Sequence, residues 1–328
     1  MIITRTPFRV SLFGGGSDYP AWFEQHGGEV LGFSINKYCY ITLRELPAFF
    51  EHKHRIVYSK FEHVQEVDEI QHPVVRAVLS EMTLEHGLEI HHDGDLPART
   101  GLGSSSSFTA GLLKALAGLE RRYVDKRTLA LESIRIEQKV LREAVGNQDQ
   151  IWASYGGLNR IFFHQGRDFE VDPIIISKER KQQLVGSFML FFTGISRFAS
   201  EVAQKKIENL GKKEAEITRM VDMVSTAHEI LVNPNEDLLQ IGALLHESWM
   251  LKRGLSDVVT SSHIDGIYQS AREAGALGGK LLGAGGGGFM LFYVEPENQQ
   301  SVRERLSGLI EVDIDIDYDG CKIIFCEN

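Results

Sequence analysis

The chain has 328 residues, 43% of them hydrophobic and 24% charged, the balance of a soluble globular protein with room for two domains of ~100–200 residues each. A formal net charge of −10 speaks against the broad basic footprint that nucleic acid requires, yet leaves room for a small anion held by a few local donors. No stretch reaches the ~20 apolar residues of a membrane span, and Cys39, Cys321 and Cys326 form neither a metal-ligand spacing nor an even disulfide framework, so the expected setting is reducing and cytoplasmic.

Residues 1–5 lack the basic region and apolar core of a signal peptide. Residues 8–13 alternate, with Phe8, Val10 and Leu12 on one face and Arg9, Ser11 and Phe13 on the other, which predicts a strand. It ends in a loop, Gly14-Gly15-Gly16-Ser17-Asp18-Tyr19-Pro20, whose only charge is Asp18. That carboxylate suits an Asx-turn to its own backbone, and equally an acceptor for ligand hydroxyls. Strands are predicted over 29–35 and 38–43, with Asn36-Lys37 as a hairpin turn between them, and over 55–59. Pro73 opens a helix from its first turn, and 88–92 is a further strand.

Next comes Pro97-Ala98-Arg99-Thr100-Gly101-Leu102-Gly103-Ser104-Ser105-Ser106-Ser107, running into an apolar helix over 108–119. Glycines permit close backbone approach, serine hydroxyls add donors, and a helix N-terminus carries unpaired N–H groups and about half a positive charge. The pattern therefore reads as an anion cradle, with a serine-rich N-cap as the plainer alternative. The histidines at 52, 54, 86, 91 and 92 match no ligand spacing, and two adjacent ones on a strand point to opposite faces.

A long helix is expected over 125–146. Glu137 falls within its apolar stripe, sharing a face with Ile134 and Leu141. A carboxylate there costs several kcal/mol unless it is paired or holds a metal, so a buried ion pair and a metal ligand both stand. Asp149, among the amides of Gln148 and Gln150, fits a helix cap or a catalytic base. Strands are predicted over 158–163 and 169–171, and 186–192 reads as a central strand. Thr193 to Arg197 is a polar turn with one cation. Helices follow over 214–232 and 236–250, the latter trailed by Lys252 and Arg253, which suit a helix C-terminus or an anion. Gly283 to Gly288 contains G-x-G-x-x-G, but a strand over 289–294 follows where a dinucleotide fingerprint needs a helix. A close-approach loop fits better. A short helix over 302–309 and strands over 312–318 and 322–326 end the chain.

Neither a Walker-type G-x-x-x-x-G-K-[ST] loop nor a G-x-S-x-G elbow occurs. What remains is the set that phosphoryl transfer needs: donors for phosphates, acids downstream and an early cation. Three stretches, Thr6 to Tyr19, Pro97 to Ser107 and Gly279 to Gly288, together resemble the GHMP kinases (galactokinase, homoserine kinase, mevalonate kinase, phosphomevalonate kinase) in order and spacing. The resemblance implies an α+β, two-domain GHMP kinase fold. A first domain over 1–176 would be like domain 2 of ribosomal protein S5, and a second over 177–328 would be ferredoxin-like. It implies ATP in the loop made by Pro97, Arg99, Thr100, Gly101, Leu102, Gly103, Ser104, Ser105 and Ser106, with Mg2+ on Ser105 and Glu137. Asp149 would be the base on the substrate hydroxyl and Arg9 the transition-state cation. Gly14-Gly15-Gly16 stands where galactokinases and mevalonate kinases carry Gly-Glu-His, which weakens those substrates.

Gln148-Asp149-Gln150, Tyr155-Gly156-Gly157 and Ser248-Trp249 ahead of Lys252-Arg253 are similar to the heptose-phosphate branch of the family. Its implied reaction is phosphorylation of an anomeric hydroxyl, acidic enough for a carboxylate to assist its deprotonation. Gly15, Gly16, Ser17, Asp18, Gly285 and Gly286 would then face the sugar, and Arg197, Lys252 and Arg253 a distal phosphate. The expected partners are a sugar phosphate and ATP, without nucleic acid or membrane, and a homodimer is left open. An unphosphorylated sugar such as fucose, and a non-catalytic sugar and ATP sensor, are the alternatives carried forward.

Overall fold

The computed structural model describes residues 1–166, 168–195, 207 and 210–327. Its framework is two sheets that share one apolar core. The first begins with β1 (Ile2–Phe13), whose pairing with β2 (Gly28–Leu46) runs almost its full length. Between Pro7↔Tyr38 and Phe8↔Ile35 the register jumps, so Asn36 and Lys37 bulge out of β2 instead of turning a hairpin. The physical reason lies in distant chain. Asn36 N–H donates to Asp315 O at 2.9 Å, and Asp315 N–H donates back to Asn36 Oδ1 at 2.9 Å, which keeps the backbone extended there.

Either side of the bulge, β2 takes a different second neighbour. Its first half pairs with β6 (Leu158–Phe163), which carries β7 (Phe169–Pro173) at the edge; its second half pairs with β5 (Gly87–Gly94). Beyond β5 lie β3 (His54–Val57), parallel to it, and β4 (Phe61–Val64). The last strand, β12 (Lys322–Cys326), returns to pair with β1. This corrects the expectation that 322–326 belongs with the second half. The second sheet is antiparallel, in the order β11 (Ile310–Val312), β8 (Phe188–Phe192), β10 (Phe289–Val294), β9 (Ala276–Leu281). Counting its own strands, that order is 4-1-3-2, the ferredoxin-like pattern, with the apolar run of β8 in an interior position as its sequence requires.

Among the described residues, five α-helices belong to the first half: α1 (Pro20–His26), α2 (Pro73–Leu79), α3 (Ser104–Leu119), α4 (Lys126–Ile134) and α5 (Gln148–Tyr155). α3 lies so close to the sheet that a Cβ on Gly111 would stand 2.9 Å from Thr6 Oγ1, and Thr4 Oγ1 donates to Gly111 O at 3.0 Å. Ser107 Oγ donates to Pro7 O at 2.8 Å. These bonds fix where the N-terminus of α3 points. The expected single helix over 125–146 is not formed. α4 passes into a π-helical turn, Arg135–Val140, closed by Leu141 N–H to Ile136 O at 2.9 Å, and left-handed Arg142 (φ 56°) ends it. Single π-turns concentrate at functional sites because the extra residue re-aims a side chain; here that side chain is Glu137.

The two halves are held by apolar packing and by a few buried polar ties. Met223, Val224 and Ala227 of the helix Glu214–Val232 join Leu12, Phe33, Leu190 and Leu291 in one core. Buried Lys280 of β9 donates to Leu12 O at 2.6 Å. No helix among the described residues is long and apolar enough to cross a membrane.

Candidate active site

The 97–103 loop is built by left-handed glycines and short local bonds. Gly101 and Gly103 have φ of 81° and 76°, a region that costs glycine nothing sterically. Arg9 N–H donates to Leu102 O at 3.0 Å, tying the loop to β1, while Thr100 Oγ1 donates to Pro97 O at 2.8 Å. Exposed Arg99, itself left-handed, donates its N–H to Ser104 Oγ at 3.2 Å. Gly103 takes the cap position of α3 with no side-chain cap bond, so the serine N-cap alternative does not hold. The first-turn amides of α3 are thus left for an anion, with the helix dipole behind them.

The second glycine run closes on this loop. A Cβ on Gly283 would stand 2.4 Å from Gly101 Cα, and one on Gly288 only 2.1 Å from Thr100 O. Phe289 N–H also donates to Thr100 O, at 3.2 Å. Both glycines are left-handed, and contact this close is open only to a residue without a side chain.

Across the loop stands the ion pair of Arg9 and Asp149. Arg9 Nε reaches Asp149 Oδ1 at 2.9 Å and Nη2 reaches Oδ2 at 2.8 Å, the two-pronged geometry that a planar guanidinium matches best. The third arm, Nη1, donates to Gly101 O at 2.6 Å. A Cβ on Gly103 would lie 3.4 Å from Asp149 Oδ2, so the carboxylate borders the loop directly. Asp149 is in the first turn of α5, yet its acceptors go to arginine, which removes the capping alternative and corrects the picture of a carboxylate among amides. Tyr19 is buried nearby; burial pushes its hydroxyl pKa well above the ordinary value, and the charges of Asp18 and Asp149 add to the effect.

Glu137 is fully buried and no cation among the described residues pairs with it, so the ion-pair alternative fails there. Ser106 Oγ donates to its Oε2 at 2.9 Å and Gln150 Nε2 donates to the same oxygen at 2.5 Å. Burial pushes its pKa up to about 7, against the pull of the neighbouring hydroxyls and amide. Its Oε1 is buried and has no hydrogen-bond partner among the described residues. A hard oxygen with an unspent lone pair beside a phosphate-type loop fits Mg2+. The hydroxyl against Glu137 belongs to Ser106. Ser105 is exposed on the same turn, because one residue turns a helix side chain by about 100°.

The remaining expected site residues have mixed placements. Asp18 is buried and its Oδ1 accepts Gly16 N–H at 2.9 Å; this donor lies two residues before the carboxylate, whereas an Asx-turn takes the N–H two residues after it. Ser17 is spent within the fold: Gly14 O and Glu29 O lie 2.8 and 2.9 Å from its hydroxyl, which has one proton to share between them, and it accepts Glu29 N–H at 3.0 Å. Gly15 faces Ser11 Oγ and Gln148 Nε2, while Gly286 N–H is held by Val259 O at 2.9 Å and a Cβ on Gly285 would meet Val259 Cα at 2.9 Å. Lys252, expected at a distal phosphate, is instead buried. Its Nζ donates to Leu281 O at 2.6 Å and Gly283 O at 2.7 Å, which clamps the entry to the glycine run. Arg253 pairs with Asp265 at 3.0 Å. Arg197 lies outside the described residues. Ser106 and Gln150, as partners of Glu137, were not legible as such; the only signal was that Gln150 adjoins Asp149.

Comparison with known proteins places the chain among relatives. The family profile of the GHMP kinases N terminal domain matches residues 69–157, and that of the GHMP kinases C terminal matches residues 227–310. The chain is 28% identical over 319 residues to D-glycero-alpha-D-manno-heptose 7-phosphate kinase of Campylobacter jejuni, covering 93% of each chain. It is 26% identical to the bifunctional fucokinase/GDP-fucose pyrophosphorylase of Arabidopsis thaliana, over 94% of this chain and 31% of that one. In fold it is similar to the crystal structure of a D-glycero-D-manno-heptose 1-phosphate kinase from Bacteriodes thetaiotaomicron, with a TM-score of 0.74, 22% identity and full coverage of both chains.

Proposed function

The chain belongs to the GHMP kinase family, and from that premise we propose that it transfers the γ-phosphoryl group of ATP to the anomeric hydroxyl of a heptose 7-phosphate, giving the 1,7-bisphosphate for nucleotide-activated heptose. It is an ATP-dependent phosphotransferase with an alcohol acceptor. The observation that carries the reading is the convergence at Gly103. There a carboxylate, its arginine and the amide-lined start of α3 meet within one loop.

In that arrangement each Asp149 oxygen, though bonded to Arg9, keeps a second acceptor site. One takes the proton of the attacking hydroxyl as its oxygen bonds to phosphorus and the bond to the ADP oxygen breaks. Arg9 holds the carboxylate in place and presents positive charge where negative charge builds on the transferred group. The loop amides and Ser104 hold phosphate oxygens, and Glu137 with a serine of the first turn would hold Mg2+. The chemistry it would supply when bound is positive charge against the negative charge of the transferring phosphates. Asp18 and the turn Gly14–Gly16 are the candidates for the sugar hydroxyls.

The choice of sugar is drawn from the Campylobacter relative. A second reading, an unphosphorylated sugar such as fucose, is favoured by the commitment of Lys252 and Arg253 within the fold and by the fucokinase relative. ADP release across free and phosphorylated hexoses and heptoses, with products assigned by NMR, separates them. Turnover confined to the 7-phosphorylated heptose supports the first reading; faster turnover of fucose or another free sugar overturns it.

A further inference from the structure

Gln150 has no role in the reaction as described, yet it is completely buried beside the candidate metal carboxylate. Its Nε2 and the hydroxyl of Ser106 both donate to Glu137 Oε2, at 2.5 and 2.9 Å. With both donors on Oε2 and the Thr109 hydroxyl also close to the carboxylate, its plane is fixed, and Oε1 has no hydrogen-bond partner among the described residues. Gln150 Oε1 is also buried with no partner among them, a cost that an apolar side chain of the same length would avoid. The amide is therefore explained by what it donates, not by its packing.

We infer that Gln150 is a positioning residue, which fixes Glu137 with Oε1 turned to the divalent cation and couples that carboxylate to the helix turn bearing the base. The coupling follows from adjacency. Asp149 and Gln150 are successive residues of α5, one bonded to Arg9 and the other to Glu137, so a shift of that turn moves base and metal carboxylate together. The π-helical turn on the opposite side aims Glu137 at the amide. Partners of this kind orient ligands, and their loss typically costs about 10–100-fold in metal affinity. The inference rests on the kinase reading in one respect, that Glu137 serves a divalent cation.

The test is Mn2+ binding, followed by electron paramagnetic resonance, to the full chain with a non-hydrolysable ATP analogue. Gln150→Met keeps the length and removes the donor. The expected result is Mn2+ affinity weakened about 10-fold or more, with metal-free analogue affinity and near-ultraviolet circular dichroism unchanged. In turnover, the apparent KM for Mg2+ rises while the KM for the sugar stays the same. Mn2+ affinity within about 2-fold of wild type overturns the inference, as does an equal loss of metal-free analogue affinity, which marks a general packing role. If Gln150→Met does not fold, Gln150→Asn, which keeps an amide but withdraws it from Glu137 by one methylene, is judged by the same thresholds. Because the binding assay contains no sugar, a wild-type chain that binds Mn2+ with the analogue but phosphorylates nothing on the sugar panel sinks the heptose reading alone.

Discussion

Replacing Asp149 by asparagine separates the chemical role of this carboxylate from its structural one. The side chain keeps its shape, and one acceptor can still meet Arg9, but the second prong now sets an N–H against a guanidinium N–H. Breaking a wholly buried ion pair costs about 3–5 kcal/mol. Here the Arg9 side chain is 5% exposed but that of Asp149 is 27% exposed, and Arg9 retains its bond to Gly101 O at 2.6 Å. Water reaches one partner and the other keeps an acceptor, so the loss should be about 1–3 kcal/mol, a shift in melting temperature of several degrees. The chemical loss is larger. A positioned base contributes about 10²–10⁴-fold, equivalent to about 3–5 kcal/mol of barrier. The assay is kcat at saturating ATP and sugar below the melting range, with the ATP Kd measured by calorimetry. The expected result is a fall in kcat of at least 100-fold with the ATP Kd within a factor of three or so. A kcat within about 10-fold of wild type would refute Asp149 as proton acceptor, whatever happens to stability.

Two further outcomes follow from the geometry around this pair. Gly283→Ala places a methyl group 2.4 Å from Gly101 Cα at a φ of 68°. The left-handed conformation alone costs about 1–2 kcal/mol and the clash comes on top, so the KM for ATP should rise about 10-fold or more in steady-state kinetics; an unchanged KM refutes the contact between the glycine runs. Glu137 sets a pH dependence in the metal-free protein, since burial raises its pKa from 4.5 to about 7. A raised carboxyl contributes stability that is fully present below about pH 4.5 and lost as the pH rises through about 7. The melting temperature of wild type relative to Glu137→Gln should therefore decline across that window, and Mg2+ with nucleotide should lift the high-pH limb. A flat difference contradicts the buried, unpaired carboxylate.

Local pattern made much of this protein legible. The alternation around Arg9, the glycine–serine loop before an apolar helix, and the apolar run of β8 each follow from side-chain periodicity and backbone sterics within a few residues. Glu137 stood out because a charge inside an apolar helical stripe demands a reason. The same local logic could not foresee that Asn36 is held extended by Asp315, or that the helix carrying Glu137 would give way to a π-turn. It could not see β12 returning to β1, nor Lys252 turning away from solvent to clamp the carbonyls of the glycine run. Apart from the π-turn, these depend on partners from 29 positions away, for Lys252 and Leu281, to 279 and beyond, for Asn36 and Asp315 and for β12, and pairing at such range leaves no period in the sequence.

The division at the site has the same cause. The sequence by itself determined which residue types were on hand for phosphoryl transfer: two glycine runs, an early arginine and two isolated acids. Only the tertiary structure decided how they combine: that Asp149 is gripped by Arg9, that one glycine run lies against the other, and that Ser106 and Gln150 leave a single oxygen of Glu137 unpaired among the described residues. Residue chemistry is carried by each position alone, whereas a hydrogen bond across more than a hundred residues exists only once the core has packed.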